Sequence, residues 1–171
     1  GGNPAAPATA LHAAGHALEQ QNGAWWPLGG FGALAEALAA RGVPVTIADI
    51  DVGELDSTVA ASSGKLRGQS LDVRDREAWA RAKAQAEAAL GPVDLLFNNA
   101  GIMPDGRELS DMPPESFDRV IAINLTGVFN GISAFGQSFR ALGRGHIVNT
   151  SSMSGMAADH PGLGSYSPSK F

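Results

Sequence analysis

The sequence predicts an α/β fold built on a doubly wound parallel sheet, and three observations predict it. From Gly30 onward, short apolar runs alternate with helical patterns, as repeated strand and helix units require. The run 93–97 is nearly continuously apolar, as expected of a strand buried on both faces. Glycine and proline fall between the runs and the helical stretches, at Gly42, at Gly91 with Pro92, and at Gly143.

Each element follows in order. The amphipathic stretch 33–41 is a helix that Gly42 stops, and 43–48 is the strand after it. A second strand falls at 68–73, followed by a helix over 74–90 that ends at Gly91 and Pro92. After the strand at 93–97 a long helix runs over about 114–142. Phe117, Val120, Ile121, Val128 and Phe129 supply much of its buried face. The strand 145–150 leads into a Ser/Gly/Pro-rich loop over 151–165. Residues 30–171 form one domain without repeat or linker. Residues 1–29 are an atypical Ala/Gly/Pro-rich segment in which Trp25, Trp26 and Pro27 stand where a first buried strand belongs. A proline there removes a ladder hydrogen bond.

Composition narrows the function. The 171 residues are 44% hydrophobic and 17% charged, enough for one domain with a sizeable core. A net charge of -5 argues against nucleic acid, which calls for a basic face. The absence of cysteine removes disulfide and thiolate chemistry. No stretch approaches the ~20 apolar residues of a membrane span, and a basic signal region is lacking, so a cytoplasmic protein is expected.

Chemistry concentrates at the strand ends. Asn98, Asn99, Ala100 and Gly101 follow the apolar strand, at the edge where open α/β sheets bind ligands; an ordinary polar turn is the competing explanation. Asn124 interrupts an apolar helical stretch, and if buried it must be hydrogen-bonded. The strand 145–150 delivers Ser151 and Ser152 to the same edge. Tyr166 and Lys170 lie four apart and share a helix face. A cation about 4 Å from a phenolate contributes roughly 4 kcal/mol at an effective dielectric near 20. That can lower a tyrosine pKa by up to ~3 from its usual value near 10, making the phenol a usable acid and base.

Asp49 ends the strand 43–48, where a carboxylate can accept hydrogen bonds from ribose hydroxyls. Arg41 is the one basic residue between Gly1 and Gly64, so a 2'-phosphate would meet Asp49, Asp51, Glu54 and Asp56 with little to neutralise it. NAD is therefore preferred over NADP. Glu54 and Asp56 read as a solvated helix start. His12 and His16 are four apart, but Ala13 stands where a zincin has glutamate, so no metal site is expected. Met103, Met112, Met153 and Met156 either line a substrate pocket or fill gaps.

The ordered set of Asn98-Asn99-Ala100-Gly101, Asn124, Ser152, Tyr166 and Lys170 resembles the short-chain dehydrogenase/reductase family over residues 30–171. The resemblance implies a Rossmann-type fold, incomplete at the C-terminal end, in an NAD-dependent oxidoreductase. It would transfer a hydride between nicotinamide and a secondary alcohol or ketone. By it Tyr166 is the general acid/base, Lys170 lowers its pKa and holds the nicotinamide ribose, Ser152 binds the substrate oxygen and Asn124 positions a proton-relay water. Ser152 is preferred to Ser151 because it stands 14 positions ahead of Tyr166, near the gap usual in that family. Asp72 and Val73 resemble the pair that contacts adenine, with an N-cap role for Asp72 as the alternative. Gly30, Gly32, Asn98, Ala100 and Gly101 join them as cofactor-binding residues. The full-length parent is expected to be a homodimer or homotetramer.

The phosphate turn departs from the family. With Gly30 and Gly32 as its last two glycines, Trp26 occupies the place of the first, where a bulky side chain blocks the turn. Either a lesion or an upstream segment read in the wrong frame accounts for this, and the abrupt return of the match near Gly32 favours the second. The chain resembles about two-thirds of such an enzyme. Rival readings are an inactive nucleotide-binding relative, and a sugar-nucleotide epimerase or dehydratase sharing the Tyr/Lys pair.

Overall fold

The computed structural model describes residues 11–12, 26–27, 30–62, 66–156 and 161–171. The chain divides into two compact units, Gly1–Ser70 and Leu71–Phe171.

In the first unit β1 (Leu11–His12) and β2 (Trp26–Pro27) form a two-residue antiparallel pair. The stretch with the misplaced proline thus makes a short bridge in place of a long parallel strand. Helix α1 (Gly30–Ala40) begins three residues earlier than its amphipathic pattern predicted. Strand β3 (Val45–Asp49) pairs in parallel with β4 (Leu66–Ser70), with Val45 opposite Leu66 and Asp49 opposite Ser70. Between them runs α2 (Val52–Ala61), whose N-cap Asp51 accepts from Glu54 N, so the acidic run after Asp49 is indeed a helix start. Ala35, Ala39 and Leu66 form this unit's core, with Val45 and Ile47 against them. The predicted strand 68–73 is corrected to β4, because parallel register with β3 fixes the ladder two to three residues earlier.

The second unit contains α3 (Arg76–Leu90), β5 (Leu95–Asn98), α4 (Pro114–Ile121), α5 (Gly127–Leu142), β6 (His146–Asn149) and α6 (Tyr166–Lys170). β5 and β6 are parallel, with Leu95 opposite His146 and Asn98 opposite Asn149. Leu71, Trp79, Ala82, Leu96, Phe135 and Phe139 form the core. Trp79 meets Phe135 edge-on at 6.3 Å, a favoured aromatic geometry. β5 is buried on one side only: Leu96 is covered while Leu95 is 39% exposed, which corrects the expectation of burial on both faces.

The predicted long helix is present over Pro114–Leu142, broken in pitch at Ala122–Thr126, where five residues form a π-helical turn with Gly127 N bonded to Ala122 O. Gly143 ends it in the left-handed conformation at φ 63°. Val120 is buried as expected, but Phe129 is 56% exposed beneath the Arg76 guanidinium, 5.7 Å from its ring centre. By length and composition this helix passes the criterion for a membrane span, with a mean hydropathy of 1.2, which corrects the expectation that no stretch comes close. Part of its apolar content is interior, since Phe135 and Phe139 pack in the core, while Leu125 and Phe129 are exposed.

Candidate active site

The second unit brings four of the predicted residues into one neighbourhood. α6 packs against the π turn and against the 3-10 turn Met153–Gly155, and this joins Tyr166 and Lys170 to Asn124 on one side and to the Ser152 segment on the other. The Lys170 Nζ lies 5.8 Å from the centre of the Tyr166 ring and donates to Thr150 O at 3.1 Å. Only 8% of Lys170 is exposed, and burial pushes its ammonium below the ordinary lysine range. Ser151 is not idle: its Oγ donates to Lys170 O at 2.7 Å.

Asn124 is 2% exposed, and its amide is fully engaged. Its Oδ1 accepts from Ile102 N at 2.8 Å, while Nδ2 donates to Ile102 O at 3.0 Å and to Ser169 Oγ at 3.0 Å. The residue thereby ties the loop after β5 to α6. A buried amide needs such partners, and a π turn at a functional position is a recurrent association. The Ser152 Oγ caps its own turn by accepting from Ser154 N at 3.2 Å, leaving its O–H proton to give.

The residues around β5 divide. Gly101 faces the site: a Cβ there would stand 3.2 Å from Lys170 Nζ and 3.4 Å from Asn124 Oδ1. Ala100 is exposed beside it. Asn98 turns inward instead, 6% exposed, with Nδ2 donating to Asn149 Oδ1 at 2.9 Å, so it pins the carboxyl ends of β5 and β6 together. Asn99 accepts from Thr150 Oγ1 at 2.9 Å.

Asp72 forms a short ion pair with Arg74 at 2.6 Å, which holds its carboxyl below the usual carboxylate range. It does not cap α3. That role belongs to Asp75, whose Oδ1 accepts from Glu77 N and Ala78 N, and this corrects the N-cap alternative. Val73 O accepts from both Trp79 Nε1 and Asn130 Nδ2, each at 3.0 Å. In the first unit the Asp49 carboxylate is exposed at the end of β3 and accepts from Asp51 N at 3.0 Å. Gly30 opens α1, and Gly32 lies in its first turn, where a Cβ would have no neighbour within 4 Å. Residues 28–29 and His16 lie outside the described residues. Met112 is buried, whereas Met103 and Met156 are 59% and 63% exposed.

Three residues of this neighbourhood escaped the sequence reading. Gly155 is pressed against α6: a Cβ there would overlap Lys170 O. Asn130 is 2% exposed and bonds Val73 O, Arg74 O and Arg76 Nε. Ser169 bonds both Asn124 and Tyr166. Asn130 alone carried a signal, as a second amide on an apolar helical stretch.

Parallel strands with polar groups gathered at their carboxyl ends define an open α/β ligand-binding domain. The short chain dehydrogenase family model matches residues 28–171, and the chain belongs to that family. It is 45% identical over 127 residues to the probable oxidoreductase EphD of Mycobacterium tuberculosis, covering 72% of this chain and 21% of that protein. It is 36% identical over 121 residues to a 3-alpha-(or 20-beta)-hydroxysteroid dehydrogenase of the same species, covering 71% of this chain and 46% of the relative. Among solved structures, levodione reductase superposes with a TM-score of 0.76 at 28% identity, over 81% of this chain and 55% of that one. NAD+-bound xylitol dehydrogenase gives 0.74 at 32%, over 81% and 54%. The fold is thus the Rossmann-type doubly wound α/β architecture, and the chain spans between a fifth and about half of these relatives.

Proposed function

We propose that this chain carries the proton-handling site and much of the cofactor-binding surface of an NAD-dependent dehydrogenase acting on secondary alcohols, or on ketones in reverse. The observation that carries the reading is the buried Lys170, held by Thr150 O beside the Tyr166 ring.

The residues present suit a nicotinamide cofactor on its reactive side. Gly101 leaves backbone room against Lys170 Nζ and Asn124, where a side chain would intrude. A bound nicotinamide supplies or accepts the hydride at C4. Tyr166 takes the hydroxyl proton as an alcohol is oxidised and returns it to the oxygen as a ketone is reduced. Ser152, its lone pair committed to Ser154 N, donates its O–H to the same oxygen. Lys170 stabilises the phenolate and holds the nicotinamide ribose. Asn124 places the relay water through the π turn, since both its side-chain protons are spent on Ile102 and Ser169.

For the rest of the cofactor, Gly30 and Gly32 on the first unit contact the phosphates in this reading, and Asp72, Val73, Ala100 and Asn98 on the second unit make further cofactor contacts, the last acting from within the sheet. Asp49 receives the adenosine ribose. Its exposed carboxylate favours NAD over NADP, and Arg67, the basic residue on β4, pairs with Thr46 well short of that strand end. The working protein is a cytoplasmic homodimer or homotetramer, for which exposed Leu125 and Phe129 on the long helix offer an apolar face.

Fluorescence titration of the whole protein with NADH and NADPH tests the reading. NADH binding in preference to NADPH is expected. Binding of neither sinks the dehydrogenase assignment, and tighter NADPH binding refutes the role of Asp49. Tyr166→Phe should abolish alcohol oxidation while NADH still binds; retained turnover would mean another group handles the proton.

A further inference from the structure

No side-chain N-cap holds the start of α6. Two hydroxyls reach its main chain: Ser151 donates to Lys170 O, and Ser169 donates to Tyr166 O at 2.7 Å. The second of these belongs to a directional relay. Asn124 Oδ1 accepts from Ile102 N, which fixes the orientation of the amide and points Nδ2 at Ser169 Oγ, 3.0 Å away. A serine hydroxyl has one proton to donate, and here it goes to Tyr166 O. Ser169 is 6% exposed and Asn124 is 2% exposed, so water is a poor substitute for either bond.

We infer that Ser169 is a positioning residue: it couples Asn124 in the π turn to the main chain of Tyr166 and thereby sets the acid/base pair in register. It acts through Tyr166. Asn124 correspondingly has a second duty, because its side chain anchors the helix that carries the phenol. The position requires a group that accepts and donates within a small volume. Serine and threonine meet this; alanine and valine do not.

The inference rests on the dehydrogenase reading of Tyr166, and a direct readout separates the two. Tyr166 is the chain's one tyrosine, so protein labelled with 13Cζ-tyrosine gives a single phenol resonance that reports its surroundings without cofactor or substrate. Ser169→Ala should displace that resonance and lower kcat for NAD-dependent oxidation of cyclohexanol about 10- to 100-fold, as misplaced catalytic groups do. NADH affinity, read by fluorescence, should stay within about twofold, a small change on the scale of binding free energies. Ser169→Thr should restore both resonance and kcat, while Ser169→Val should resemble Ser169→Ala. The double variant with Asn124→Ala should shift the resonance no further than Asn124→Ala alone. The inference is overturned by an unmoved resonance in Ser169→Ala, by failure of Ser169→Thr to restore it, or by loss of the wild-type circular dichroism in Ser169→Ala, which would make the residue a folding determinant. If the wild type oxidises no secondary alcohol, the dehydrogenase reading falls, and the resonance still decides the role of Ser169.

Discussion

At the scale of single residues, the site depends on what surrounds Lys170. Burial favours the neutral amine, so in the folded chain the lysine releases its proton at a lower pH than in the unfolded chain. The sign follows directly: between the lowered folded pKa and the ordinary lysine value of 10.5 the unfolded chain binds more protons, and stability rises with pH. Urea midpoints measured up to pH 10 should therefore climb in wild type relative to Lys170→Met; parallel curves would mean the ammonium is not penalised. Gly155 gives a steric counterpart. Its absent side chain lets Lys170 O occupy the space a Cβ would need, and a carbonyl cannot swing aside as a flexible side chain can. Gly155→Ala should cost about 1–3 kcal/mol, the usual penalty of overpacking, and should lower turnover as α6 is displaced. Neither Gly155 nor Ser169 was legible in sequence, because close approach and a two-bond hydroxyl are properties of three-dimensional neighbours. Asn124, Ser152, Tyr166 and Lys170 could be singled out as candidates because residue type and spacing are written in the chain.

At the scale of elements, the long helix is the organiser. Asn130 on α5 clamps the Val73–Arg76 segment through three hydrogen bonds. Replacing it with alanine removes these bonds while Val73 O keeps its bond from Trp79, so a loss of about 1–3 kcal/mol is expected in urea denaturation. A neutral outcome would show that water reaches Arg74 O. Gly131, one position on, lets α5 lie against β5: a Cβ would overlap Asn98 Oδ1 and meet Trp79 at 3.0 Å. Gly131→Ala should thus destabilise the unit and loosen the Asn98 to Asn149 tie. Helices were read well from the sequence because their stops, Gly42, Gly91 and Gly143, are local signals. Strand limits were read less well. The ends of β4 depend on the register with β3, which a one-dimensional pattern does not carry. The π turn was invisible for a related reason: its residues, from Ala122 to Thr126, are ordinary helix formers apart from Asn124.

At the scale of the whole molecule, the predicted preference is for NAD. Asp49→Asn removes a charge worth about 1 kcal/mol against a nearby phosphate, so it should move the NADPH-to-NADH affinity ratio about fivefold toward NADPH. An unchanged ratio in paired fluorescence titrations would place the discriminating group elsewhere. The class of fold was legible from the alternation of strands and helices after Gly30, whereas the segment ahead of it was not, since an antiparallel pair of two-residue strands leaves no periodicity to read.

The π turn also has a kinetic consequence. It interrupts the i→i−4 ladder within the 29-residue helix, so opening on one side of Ala122–Thr126 need not propagate to the other. Amide hydrogen exchange should accordingly resolve Pro114–Ile121 and Gly127–Leu142 as two separately opening segments, with the break at the turn whose Asn124 bonds Ser169 of α6.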